Sequence, residues 1–358
     1  MISLKINAVP VLFIKAFTAD DVQTILDFVR HAHSLKKDAN KTVLFIDTPI
    51  TAHTVESVQK LKQEGYRVCF RDHHGIDGEP VNDRDKQVES ATARLAQLLG
   101  DDCQITVRRL HPACSTLVAV AEFEHALAII ADPDADGLTA AMKAAGIFYD
   151  ELDDDAALLD GEPHLQVTGS LVSQLLAKGM ATLPSFDPKD PKRREQAQKE
   201  LFRDWVEVVQ GNKRSQVRME AIVVRYDEAV QVAQELAREA KEVVAGVLLV
   251  DCVGSPVFDV GTLTTLVEQA SGCRISVIRK DLGPLAQLHG IQYSLAVAKQ
   301  YQTEINLQKL LPPEMRSDLQ SGIISNVSFL LHVSEYIWLE EAVPRLRELS
   351  ATNWHALS

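Results

Sequence analysis

The sequence predicts an α/β fold: a domain built on a parallel sheet, joined by a helical linker to a second, smaller α/β domain. Three observations predict it. Apolar runs without polar alternation, such as Val43–Ile46, Val68–Phe70 and Leu127–Ala131, recur between segments of helical period. Such runs mark strands covered on both faces. Several of them end directly in carboxylates or imidazoles, at Asp47, at Asp72-His73-His74 and at Asp132. Ligands of open parallel sheets bind beyond the carboxyl ends of the strands. Near Pro184 the composition turns proline-rich and then charged, before a second strand-helix set begins.

Taken in order, Lys5–Ala16 reads as one strand. Thr18 caps a helix, with Asp21 three residues later in capping-box position. Val22, Ile25, Leu26 and Val29 follow at helical spacing. Thr42–Asp47 is an apolar strand ending in a carboxylate. Thr54 begins a helix with Val55, Val58 and Leu61 on one face and Gly65 as its C-terminal cap. The next strand runs into Asp72-His73-His74-Gly75. Residues 84–104 are polar and helical, and a helix is expected from Ser115.

Leu127–Ala131 delivers Asp132, Asp134 and Asp136 to a sheet edge, and Gly137 turns the chain into a further helix. Alternate carboxylates of an extended segment face one side, so these three are expected to converge. Asp153, Asp154, Asp155 and Asp160 add further acids. The organisation predicted is a metal-binding catalytic domain at residues 1–190, a helical linker at 191–240 and a substrate-binding domain at 241–358.

A length of 358 residues fits two domains. The 46% hydrophobic and 24% charged fractions are ordinary for a globular chain. A formal charge of −13 argues against tracking of long nucleic acid, which needs phosphate neutralisation along a groove. A small anionic substrate held by local cations and metal remains compatible. The cysteines, Cys69, Cys103, Cys114, Cys252 and Cys273, are scattered and show no C-x-x-C spacing. This argues against a disulfide framework or structural zinc and fits a reducing cytoplasm. No signal peptide is expected, and no apolar run reaches the roughly 18 residues of a membrane span.

By residue type, Asp72, His73 and His74 suit Mn²⁺, Fe²⁺ or Zn²⁺. The triplet alone is a weak signal, because surface histidine pairs are common. The distant Asp132-Asp134-Asp136 cluster strengthens it.

Four segments together resemble the DHH phosphoesterase superfamily, specifically the RecJ-like group with a DHHA1-type C-terminal domain. They are DPDADGLTAA (Asp132–Ala141), VLFIDTPI with Asp47, RDHHG (Arg71–Gly75) and HPACSTLVA (His111–Ala119). They cover most of residues 40–145. The order departs from the family, in which the D-x-D-x-D-G motif comes first. A circular permutation is the simplest account, tolerated where chain ends lie close at the surface. The family's fourth metal-binding carboxylate has no secure match; Asp160 is the choice, with Asp154 next. Of the family's glycine-glycine-histidine motif, Ser321–Val333 keeps only Gly322.

The resemblance implies two Mn²⁺ ions, with Mg²⁺ or Co²⁺ as substitutes. Asp47 would bridge them. Asp134, Asp136 and Asp160 would hold one side, and Asp72 and His73 would complete the set. His74 is assigned to the scissile phosphate and Asp132 to orienting a ligand. Arg279, Lys280 and His289 are candidate phosphate contacts in the second domain, against the reading of a solvated strand end. Ser115 is a candidate contact, against that of a helix cap. Trp205, Trp338 and Trp354 read as core or interface residues.

The expected function is a cytoplasmic, Mn²⁺-dependent phosphodiesterase. Its substrates would be linear dinucleotides such as pGpG or pApA, or very short oligonucleotides, cut by metal-activated water. The alternatives are a phosphatase on a small nucleotide or polyphosphate, and a non-catalytic binding or scaffold protein. No membrane partner is expected, and a homodimer through the C-terminal region is the oligomer considered.

Overall fold

The computed structural model of the chain describes all residues except 36–39, 77, 79, 81–82, 109, 161–168, 184–191, 256–259, 282–289, 303, 313–324, 328–329 and 353–358. It divides into two compact units, Met1–Leu183 with Arg194–Val223, and Pro184–Arg193 with Val224–Ser358.

The first unit opens with β1 (Ile2–Ile6) and β2 (Val9–Phe13), an antiparallel pair. The single strand expected over Lys5–Ala16 is therefore a hairpin arm, a turn and a second strand. Asn7 makes the reversal at φ 54°, a left-handed conformation that asparagine tolerates better than most residues. There follow α1 (Ala19–Leu35), β3 (Thr42–Ile46), α2 (Ala52–Gln63), β4 (Arg67–Asp72), α3 (Asp83–Leu99), β5 (Cys103–Ile105), β6 (Ala128–Ala131), α4 (Ala135–Ala144), α5 (Ala156–Leu159) and α6 (Leu171–Ala181).

The sheet order is β1-β2-β6-β3-β4-β5, and every neighbouring pair after β1/β2 is parallel. β6, last of these strands in sequence, lies between β2 and β3. Both faces are covered, as the unalternated strands predict. Val43, Phe45 and Ile130 pack with Ile25, Val58 and Leu95 from α1, α2 and α3. Leu44, Ile46 and Ile129 face the opposite core with Leu138 and Leu176 from α4 and α6.

α7 (Lys192–Val209) and α8 (Lys213–Arg238) fill the segment expected as a helical linker. α7 does more than connect. Its Phe202 and Trp205 are fully buried in the core of the first unit. The Trp205 Nε1–H donates to the Val172 carbonyl at 2.8 Å.

The expected helix from Ser115 is instead one 3₁₀ turn, Cys114–Leu117. Cys114 N–H donates to Asp136 and the Ser115 carbonyl accepts from Lys143, and Val118 is extended at φ −125°, ψ 144°, which ends the turn.

The second unit carries β7 (Lys241–Val244), β8 (Val247–Asp251), α9 (Val260–Ser271), β9 (Ile275–Asp281), β10 (Ile291–Val297), β11 (Ser325–Val327), β12 (Leu330–Ser334) and α10 (Val343–Thr352). Its sheet runs β11-β12-β10-β9-β8-β7 with only β8/β9 parallel among the described strands. One face packs Val277, Leu295 and Val333 against Trp338 and Leu346. Among the described residues, no helix is long and apolar enough to cross a membrane.

Candidate metal centre

Strand register builds the site. Ile46 pairs with Ala131 on one side and with Arg71 on the other. The residues that follow each of these, Asp47, Asp132 and Asp72, therefore leave the sheet side by side. Their separation in sequence disappears because three parallel strands end at one level.

Asp47 leaves β3 at φ 52°. That conformation costs a non-glycine residue roughly 1–2 kcal/mol, and strain of this kind concentrates at functional sites. Its N–H donates to the Arg71 carbonyl at 3.0 Å, which holds the turn. Asp72 is fully buried and accepts from the His74 N–H at 2.6 Å. Gly75 N–H donates to the Thr106 carbonyl at 2.6 Å. A β-carbon at Gly75 would collide with that same oxygen. This close approach pins the loop that carries both imidazoles.

Asp136 arrives differently from the expectation of an extended D-x-D-x-D segment. Asp134 is the N-cap of α4, its Oδ1 accepting from Gly137 N–H at 2.8 Å. Asp136 therefore projects from the first helical turn. Gly137 is not a turn glycine either. It lies in the helix, where a β-carbon would run into the Asp132 carbonyl, so the strand end and helix start are packed backbone to backbone.

His73 is at the centre. Its Nδ1 lies 2.9 Å from the His111 carbonyl. A carbonyl only accepts, so Nδ1 carries hydrogen and a neutral ring offers its Nε2 lone pair to the cluster. Nε2 lies 3.2 Å from Asp136 Oδ2, 3.6 Å from Asp47 Oδ1 and 4.0 Å from Asp160 Oδ1. Asp47 Oδ2, Asp72 Oδ2, Asp132 Oδ1 and His73 Nε2 are all buried without a hydrogen-bond partner. Orphaned buried donors and acceptors are costly, and the three on Asp47, Asp72 and His73 belong to residues whose donor atoms cluster as a metal site would need.

The donor atoms form two overlapping sets, each within 4.8 Å: Asp47, His73, Cys114 and Asp136, and Asp47, Asp72 and His74. Asp47 belongs to both.

The electrostatics point the same way. Burial, then the charges of Asp136, Asp134 and Asp72, hold Asp47 well above the usual carboxylate range. Burial and Asp134 push Asp132 up to about 7 against the opposing charge of Lys15. Burial and Asp136 push Asp160 up to about 7 against Arg108. Burial pulls the His73 imidazole down, but Asp136 and the His111 carbonyl outweigh it and raise it to about 9. The fold thus gathers more buried carboxylate than its own cations neutralise, which divalent ions would correct.

The remaining expected residues fall as follows. Asp160 sits at the rim, its carboxylate bound by the Arg108 guanidinium, and its carbonyl accepts from Arg108 Nη2 at 2.7 Å. Arg108 is thus part of the rim. His74 is 44% exposed, with Nδ1 3.0 Å from Asp72 Oδ1.

A cavity of about 1190 Å³ opens over the rim, lined among others by Lys15, Phe17, His74, Arg108 and Asp134. Ser115 is fully buried and is not among the cavity's lining residues. In the second unit the Arg279 guanidinium is already held by Asp251, at 2.8 Å, and Glu335, at 3.3 Å. Burial lowers the Lys280 ammonium. His289, Gly322 and Trp354 lie outside the described residues. Trp205 and Trp338 are buried.

Sequence reasoning missed Cys114 as a cluster member, Lys15 as the partner of Asp132 at 3.1 Å, and His111 as the residue orienting His73. The HPACST segment was the available signal for two of them.

No protein-family model matches the chain, and no curated protein matches it significantly. Solved structures align with it. One is a DHH-domain protein described as a member of a family of ribosomal proteins, at 11% identity over 94% of this chain and 75% of that one, with a TM-score of 0.42. Another is PggH, a pGpG-specific phosphodiesterase from Vibrio cholerae, at 13% identity over 88% of this chain and 99% of that one, with a TM-score of 0.38. The resemblance to the DHH superfamily rests on this chain's own motifs.

Proposed function

We propose that the chain is a Mn²⁺-dependent two-metal phosphodiesterase acting on linear dinucleotides, such as pGpG or pApA, or on very short oligonucleotides. The observation that carries this reading is Asp47, shared by two adjacent donor sets that include the unpartnered buried atoms Asp47 Oδ2, Asp72 Oδ2 and His73 Nε2. In it, Asp47, His73 and Asp136 would hold one ion, and Asp47 and Asp72 would hold the other. Asp134 and Asp160 flank them, and Asp132 orients the shell. Divalent ions there would supply charge neutralisation and activation of water for in-line displacement at phosphorus.

The half-exposed His74, facing the cavity, is assigned to a phosphate oxygen. Lys15 and Arg108 on the cavity wall offset phosphate charge. The same reading takes the first unit as a permuted DHH domain, supported by β6, last in sequence, lying third in the sheet. The second unit is assigned to substrate binding, with Lys280 as a phosphate contact.

Metal analysis and a substrate panel test this. About two divalent ions per chain are expected, Mn²⁺ among them, with cleavage of pGpG and pApA in preference to longer oligonucleotides. Cleavage that rises steadily with oligonucleotide length would sink the short-substrate reading, and absence of metal would favour the scaffold reading. A second reading, a phosphatase on a small nucleotide or polyphosphate, is favoured by one observation. The candidate distal grip, Arg279, is already engaged by Asp251 and Glu335.

A further inference from the structure

Cys114 enters the cluster on the 3₁₀ turn with its side chain fully buried. Its N–H donates to both Asp136 oxygens at 2.9 Å, and its Sγ lies 3.4 Å from Asp47 Oδ1. A tetrahedral ion with bonds of about 2.0–2.3 Å to oxygen, nitrogen and sulfur has ligand-to-ligand edges of about 3.3–3.5 Å. The edges here are 3.4 Å for Cys114 to Asp47, 3.6 Å for His73 to Asp47 and 3.2 Å for His73 to Asp136. Three of the six edges thus match, and all four donors lie within 4.8 Å of one another. Two of the groups, Asp47 and His73, carry fully buried atoms without partners. The neighbouring position, Asp47 and Asp72 beside His74, offers carboxylates and no sulfur.

We infer that Cys114 is a metal ligand and makes the two positions chemically unequal. The buried position takes a borderline-soft ion, Zn²⁺, Fe²⁺ or Co²⁺, through sulfur. The outer position takes a harder ion, Mn²⁺ or Mg²⁺. On ligation the thiol gives its proton to solvent, and a sulfur–metal bond replaces the hydrogen bond to Asp47. This rests on reading the rim as a two-metal site and assigns the ions within it.

Cobalt(II) reports thiolate ligation directly, through a sulfur-to-cobalt charge-transfer absorption in the near ultraviolet. Metal-free full-length protein is titrated with Co²⁺, as wild type, Cys114→Ser and Cys69→Ser. The band is expected in wild type and Cys69→Ser and absent in Cys114→Ser. Competition binding should show Zn²⁺ affinity lowered in Cys114→Ser by more than the roughly 100-fold upper end of what loss of an orienting partner costs. Mn²⁺ affinity should change by less. Cobalt bound by wild type without the band, or a band unchanged in Cys114→Ser, overturns the role of Cys114 and leaves the two-metal reading intact. No cobalt bound overturns both. If Cys114→Ser folds poorly, serine variants at Cys69, Cys103, Cys252 and Cys273 assign the band instead: it should survive in all four, and its loss in one of them overturns the role of Cys114.

Discussion

The Nε2 of His73 and the Oδ1 of Asp47 face each other at 3.6 Å, both on fully buried side chains. They come from the ends of adjacent parallel strands, and Asp47 reaches this place only by adopting a left-handed backbone. Asp47→Asn keeps the shape and removes the charge common to both donor sets. Metal content should fall from about two ions to less than one per chain. Turnover should drop at least about 10²–10³-fold, as for loss of a preorganised electrostatic group. Equilibrium dialysis with elemental analysis checks the first expectation, and initial rates check the second.

The crowding of carboxylates predicts an unusual pH dependence for the metal-free protein. Asp132 and Asp160 are raised from 3.8 to about 7 in the fold. Between those values the folded chain holds protons that the unfolded chain has lost, so stability falls as pH rises. His73, raised from 6.5 to about 9, stabilises fully below 6.5, and that contribution is lost as pH rises through about 9. Both act in one direction. Thermal melts of chelator-treated protein should show Tm decreasing from pH 5 to pH 8.5, with Mn²⁺ abolishing the decrease. A flat profile without metal would count against this electrostatic account.

Gly137→Ala sets two effects against each other. In a helix interior alanine is favoured over glycine by roughly 1 kcal/mol. Here its β-carbon meets the Asp132 carbonyl, which is backbone and cannot swing aside. Overpacking of this kind costs roughly 1–3 kcal/mol, so the net change should be destabilising. Urea denaturation would measure it; a stabilised variant would show that the strand end and helix start separate easily.

Lys143 is a positioning residue. Its buried ammonium donates to the Ser115 carbonyl at 2.9 Å and to both Asp153 oxygens at 2.8 and 2.7 Å. It thus ties the turn that aims Cys114 at Asp136. Lys143→Met leaves the Ser115 carbonyl without this partner, at a cost of about 1–3 kcal/mol. Metal affinity should weaken by about 10–100-fold, the range for partners that orient ligands. Calorimetric titration distinguishes this from simple loss of stability, and Lys143→Arg should recover part of the affinity.

Much of this was readable before any coordinates. The apolar runs at Val43–Ile46 and Leu127–Ala131 announced doubly covered strands, because every side chain in them meets a core. The acids after those runs announced a rim. What local pattern missed came from tertiary partners. Asp136 lies in a helix because Asp134 caps one, and the turn at Cys114–Leu117, tied to Asp136 and Lys143, ends at the extended Val118. The first strand split because Asn7 accepts a positive φ.

The sequence by itself determined which residues are chemically able to take part: carboxylates and imidazoles at strand ends. Only the tertiary structure decided which of them meet. β6 inserts between β2 and β3, and Ile46 is in register with both Ala131 and Arg71. That placement brings Asp47, Asp72 and Asp132 to one level and admits Cys114, which no spacing in the chain marks as a neighbour of Asp47. Proximity here is set by hydrogen-bonded register across strands, a relation between residues distant in sequence that local periodicity does not encode.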